Sequence, residues 1–374
     1  MNRMYVSVGR RLRAAIMLVA VIALGFAGSG LAQAVQIGDI DVLAIVPATP
    51  GFPEGVVAHG SSVFVSGPAR FGTAGTGPSA IQVFDRRTGT LKQTILVTGE
   101  NLAFEHALSN MAWGGAGRLF ALSTQLGLIY FTKQGLDYAQ AGYGDPVPDL
   151  PICPFSGSCS PTAFDMPPIV NDVVFDPQGY AYVTDSLQAT IWRYAPGGGA
   201  AQIWFQSAQF EGGGPIPFGT NGIRLNRERT HVYVAISSSA ANPAQGTIYR
   251  LPLVDQPTEA DLAVIHTYIA GEMPDQLAFD SVGNLYVSLA LSNQISVLAA
   301  NGTETVRYAS APGDAIPLDN PAGIAFDART RSLLIVNHAL LSGDPNHFAV
   351  LRMFVDDPGA QLFDPDSSET EFGE

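Results

Sequence analysis

Five residues with oxygen-bearing side chains recur at comparable places along the chain: Glu54, Asn110, Asn171, Asn221 and Asp275. Each opens a stretch that reads as strand, turn, strand, and these stretches follow one another roughly 50 to 60 residues apart. Carboxylates and amides without thiolate or imidazole form a hard donor set. Such a set suits calcium, which accepts irregular coordination and several waters. Asn-Gly, Asn-Asp and Pro-Asp are also ordinary turn dipeptides that begin strands in any β protein. Turn formation does not require carboxylates at Glu54 and Asp275 with amides between them, and the recurrence in register is what points to a metal. His338 ends the last of these stretches and His106 lies just before Asn110. Each reads either as an acid–base group or as a hydrogen-bonded loop residue. His59, His231, His266 and His347 lack metal-ligand spacing, and there is no G-x-S-x-G elbow, phosphate-cradling loop or zinc motif.

For the five side chains to meet, the elements carrying them must converge. With 40 glycines, 26 prolines and 14% charged residues, the chain shows no long run of 3.6-residue apolar periodicity. The stretches starting at Glu54, Asn110, Asn171, Asn221, Asp275 and Ala322 each alternate as a strand, pass a turn rich in Asp, Gly or Asn, and alternate again as a hairpin. Most are followed by a second hairpin, at 81–85 with 90–97, 190–194 with 201–205, and 294–298 with 304–308. Four strands per unit make a blade. A lone blade exposes two apolar faces, so the units must stack around an axis. The expected fold is all-β, a six-bladed β-propeller with four-stranded antiparallel blades around a central channel. The strands at 40–46 and 349–355 are expected to complete one blade from both ends of the chain and so remove open sheet edges. The first residues of the units would then ring one mouth of the channel, with Ala322 the exception. Inserts at 101–108 and 142–168 are placed to roof that mouth.

The segments Pro53-Glu54-Gly55, Val170-Asn171-Asp172 with Asp176-Pro177-Gln178-Gly179, Thr220-Asn221-Gly222, and Pro274-Asp275 with the turn from Asp280 to Gly283 resemble the gluconolactonase/senescence-marker-protein family. The resemblance spans nearly the whole chain after its leader, and the architecture is more distantly similar to the paraoxonases. It implies that Glu54, Asn171, Asn221 and Asp275 bind one divalent metal, commonly calcium. It also implies hydrolysis of a lactone or related ester, with Asp275 as general base and Asn110 positioning substrate or water. A paraoxonase-like dyad would draw on His338 or His106. Sugar-lactone members carry an arginine two residues before the third-blade asparagine, where this chain has Ile169. With apolar residues around 167–170 and 215–218, the expected small-molecule substrate is a more apolar lactone. Two alternatives stand beside this one. The first is a non-catalytic, metal-stabilised propeller that binds a ligand or protein. The second is a lyase of the streptogramin-inactivating type, with His338 as its histidine.

The N-terminus carries Arg3, Arg10, Arg11 and Arg13, an apolar run at 14–27, and Ala32-Gln33-Ala34, the three parts of a cleavable signal peptide. The expected organisation is a signal peptide at 1–34, one propeller domain at 35–362 and an acidic disordered tail at 363–374. Export to the periplasm or medium follows, with no membrane span in the mature chain. The formal net charge is -14, and the leader removes arginines but no acids, so nucleic acid and anionic membranes are poor partners. Cys153 and Cys159 lie in a loop rich in Pro, Gly and Ser and are expected to close it as a disulfide.

Overall fold

The strand Ala181–Asp185 is buried along its whole length, and so is Leu285–Leu289. Strands with no exposed face must sit in sheets covered on both sides, whereas Gln202–Gln206 and Glu304–Ala309 keep exposed positions and so belong at the periphery. The computed structural model describes residues 35–155, 157–214, 217–240 and 245–360. It arranges them as six four-stranded antiparallel sheets, and the helices are single 3₁₀ turns among the described residues. The expected signal peptide and the acidic tail from 363 lie outside the described residues.

Five blades are built in chain order, with inner strands Val56–His59 (blade 1), Leu108–Gly114 (blade 2), Val170–Phe175 (blade 3), Thr220–Leu225 (blade 4) and Pro274–Phe279 (blade 5). Blade 6 takes Pro321–Asp327, Ser332–Asn337 and Ala349–Phe354 from the C-terminal part of the chain. Its fourth strand is Ile40–Ile45, paired antiparallel to Ala349–Phe354. The ring is therefore closed from both ends, as the sequence pattern predicts.

The core is six clusters, one between each pair of neighbouring blades. Between blades 1 and 2, for example, Phe64, Ile81 and Val83 meet Leu119, Ile129 and Phe131, all fully or nearly buried. Aromatic side chains of this kind carry much of the stability, and truncating one to alanine typically costs about 3–5 kcal/mol. The turn at Asp176 shows why Asp-x-x-Gly closes the inner hairpins of blades 3 and 5. Its Oδ1 accepts from the amides of Gln178 (2.9 Å) and Tyr180 (2.9 Å), and Gly179 adopts φ +87°. Cys153 and Cys159 form the expected disulfide. No helix among the described residues is long and apolar enough to cross a membrane.

Candidate functional site

Each inner strand carries an irregularity at its channel-mouth end. In blade 3, Val170 faces Asp185 while Val173 faces Val183, so the inner strand spends three steps where its partner spends two. The same offset occurs at Leu108/Met111, Thr220/Ile223, Pro274/Leu277 and Pro321/Ile324. In blade 1, Ser66 bonds both the amide of Glu54 (2.9 Å) and the carbonyl of Gly55 (3.1 Å). These are β-bulges, which re-aim side chains and favour functional sites. Counted from them, the first bulge position is Glu54, Ser109, Asn171, Asn221, Asp275 and Ala322. The second is Gly55, Asn110, Asp172, Gly222, Gln276 and Gly323.

The expected ring is thus corrected in blade 2. The register puts Ser109 at the position of Asn171, and Asn110 falls one residue further on. Asn110 is buried, and its Oδ1 accepts the amide of Met111 at 2.8 Å. Asn221-Gly222 is not a turn dipeptide either, because it lies inside a strand. A Cβ on Gly222 would stand 2.5 Å from the carbonyl oxygen of Asp275, and one on Gly323 would stand 2.2 Å from that of Glu54. Close approach of neighbouring blades, not turn geometry, requires glycine there.

Hydrogen bonds between blades hold the ring backbone at every junction. Ser66 Oγ donates to the carbonyl of Ser109, and Ser109 Oγ to that of Val170 (2.8 Å). Thr184 Oγ1 donates to Asn221 (2.5 Å), Ser237 Oγ to Pro274 (2.8 Å) and Ser288 Oγ to Ala322 (2.7 Å). The amide of Gly323 closes the circle on the carbonyl of Glu54 at 2.9 Å.

Within this frame, Glu54, Asn171 and Asn221 are buried and Asp275 is partly exposed. Asn221 Nδ2 donates to Ser237 Oγ at 2.8 Å, which leaves its Oδ1 buried without a partner; Asp275 Oδ1 and Gln276 Oε1 are also buried and unpartnered. Gln276 Nε2 donates to Asn171 Oδ1 at 3.3 Å. Buried oxygens without donors are costly unless something else satisfies them. Burial pushes the Asp275 carboxyl well above the usual carboxylate range, and the charges of Glu54 and Asp172 push the same way. Among the described residues no three His, Cys, Asp or Glu side chains gather as a metal centre. The candidate donors are two mutually repelling carboxylates joined by amides, and the unpartnered oxygens of Asn221 and Asp275 fit a hard divalent cation.

His338 Nδ1 bonds Glu54 Oε2, while its Nε2 is buried with no partner. His106 is instead part of a loop brace, with Nδ1 3.1 Å from the carbonyl of Phe104 and Nε2 2.9 Å from that of Gly77. Sequence reasoning missed Gln276, Ser109 and the buried ion pair of Asp172 with Arg224 beneath the ring. The signal for Gln276 was its place directly after Asp275. Nothing local marks Arg224 as the partner of a residue in another blade.

No family model matches the sequence, and no curated protein matches it. Solved structures do. Regucalcin of Agrobacterium tumefaciens, described as a calcium-binding protein, superposes with TM-score 0.58 at 15% identity, over 86% of this chain and 95% of that one. A structure assigned as a gluconolactonase gives 0.54 at 14% identity, over 86% and 94%. The chain shares its fold with the regucalcin and gluconolactonase propellers. Virginiamycin B lyase of Staphylococcus aureus, with 0.51 at 12% identity over 84% and 98%, has the same fold.

Proposed function

We propose that this chain is an exported, calcium-dependent hydrolase of a lactone or related ester. The observation that carries the reading is the set Glu54, Asn171, Asn221 and Asp275 at one bulge position of four blades, with the Oδ1 atoms of Asn221 and Asp275 buried and unpartnered. These four side chains would hold the cation. When bound, it would supply charge to polarise the ester carbonyl and stabilise the oxyanion.

The chain's own groups do the rest. Asp275, partly open to the channel, accepts the proton of the attacking water. The proton taken by Asp275 passes on to the leaving oxygen as the ester bond breaks, and His338, oriented through Nδ1 by Glu54, stands beside them with Nε2 unpartnered. The bulges and the hydrogen bonds between blades keep these groups from collapsing onto one another when the channel is empty.

The test is one purified sample with and without chelator. Calcium is expected to raise the melting temperature by several degrees, since a ligand that binds only the folded state stabilises it. Lactone turnover is expected to disappear on chelation and to fall by about 10²-fold or more in Asp275→Asn. Calcium binding without turnover of any lactone or ester points to a metal-stabilised binding scaffold. An unchanged melting temperature with calcium removes the metal site itself.

A further inference from the structure

The mouth of the channel is lined by loops that precede the inner strands and loops that join the second and third strands of each blade. These loops contain many acids, among them Glu54, Glu100, Glu105, Asp149, Glu211 and Asp319; beside His106, His338 and His347, their one Arg or Lys is Arg70. Arg70 lies in the 68–79 loop of blade 1. No carboxylate among the described residues pairs with it, and its Nε is buried without a partner.

The loop is held over the mouth from two sides. The amide of Ala69 bonds the carbonyl of Phe52 (3.1 Å), and Glu105 accepts from the amides of Gly72 (2.8 Å) and Thr73 (3.0 Å). Phe71 stacks at 5.9 Å on Phe218, which precedes the inner strand of blade 4, the blade opposite in the ring. Arg70 is partly buried against Phe52 in this loop. Its guanidinium sits 4.8 Å above the Phe52 ring, Phe52 packs 5.7 Å from His338, and His338 bonds Glu54. Two ring contacts and one hydrogen bond thus link the guanidinium to Glu54, a carboxylate of the proposed metal site.

We infer that Arg70 is a specificity residue that receives an anionic group, a carboxylate, on the substrate, so that the substrate class is a lactone or ester carrying a second, acidic function. Contact with Phe52 restrains the guanidinium, and with Nε buried its Nη atoms are the donors left for a carboxylate, which arginine can take in a two-pronged way that lysine cannot. In an acidic mouth a guanidinium with no carboxylate partner among the described residues also selects the end of the substrate that can approach it. This inference rests on the hydrolase reading for the reaction but not for the binding.

The experiment uses the mature chain loaded with calcium and a matched pair of γ-lactones, one bearing a free carboxylate and one the corresponding carboxamide. Binding is measured by calorimetry and turnover by product formation, in wild type, Arg70→Gln and Arg70→Lys. Arg70→Gln is expected to weaken binding of the carboxylate lactone, and raise its KM, roughly tenfold or more, with kcat little changed. The carboxamide should shift by less than about twofold, and Arg70→Lys should recover part of the loss. Equal effects on both lactones, or none on either, overturn the inference. If the carboxylate lactone binds in an Arg70-dependent way but is not hydrolysed, the inference stands and the hydrolase reading fails.

Discussion

At the scale of single residues, the candidate donors are legible in the chain while their electrostatic support is not. Type and recurrence mark Glu54, Asn110, Asn171, Asn221 and Asp275, and the family resemblance selects all of these but Asn110 as candidate donors. Neither singles out Asp172, although it is fully buried, accepts the amides of Val173 (2.8 Å) and Ile223 (2.8 Å), and pairs with Arg224. Removing one partner of a buried pair leaves an uncompensated charge, so Asp172→Ala is expected to lower unfolding stability by about 3–5 kcal/mol. Adding Arg224→Leu should return part of that loss. Urea unfolding of both variants checks this, and a double variant no more stable than the single one would show that the pair is not the cause. His106 and His338 are indistinguishable as letters. One braces a loop through both nitrogens, and the other keeps a free nitrogen beside Glu54.

Elements decide where those residues point. Hairpin positions follow from alternation and Asp-x-x-Gly turns, and both survive in the structure. The bulges do not show in an alternation pattern, because one extra residue changes the phase by a single step. That step is why Ser109, and not Asn110, aligns with Asn171. It also explains the glycines at the second bulge position. Gly323→Ala would drive a Cβ to 2.2 Å from the backbone oxygen of Glu54, where no side chain can yield. The expected cost is about 1–3 kcal/mol, together with a smaller melting-temperature gain from calcium because Glu54 is displaced. Gly142→Ala, with open space around its Cβ, is the control and should change neither quantity appreciably. Calcium titrations followed by thermal unfolding measure both.

For the molecule as a whole, closure is the critical contact. Blade 6 is assembled from both ends of the chain, and Arg86 of blade 1 reaches across the junction to Asp327 of blade 6, whose side chain is fully buried. Burial alone would push the Asp327 carboxyl up, but the hydrogen bond and charge of Arg86 outweigh it and hold the group below the ordinary value of 3.8. A carboxylate depressed in the folded state adds stability above its unfolded pKa and loses it as pH falls through the folded value. Wild type is therefore expected to exceed Asp327→Asn in stability at pH 7, with the gap closing as pH falls below about 3.8. Denaturant unfolding across that range checks the sign, and a gap that widens on acidification would be incompatible with it.

What the amino-acid order determined by itself is the local and the repetitive. The count of units, the hairpins and the pairing of 40–45 with 349–354 into one blade follow from period-2 burial, turn chemistry and recurrence, while the choice of Glu54, Asn171, Asn221 and Asp275 as candidate donors came from the family resemblance. Only the tertiary structure decided the contacts that join residues far apart in the chain. Arg70 meets Phe52 at the mouth, Phe71 reaches Phe218 across it, and Asp172 finds Arg224 in the next blade. The physical reason is that these pairings depend on how blades rotate about a shared axis and on a one-residue bulge in each inner strand, and neither leaves a periodic trace in the chain.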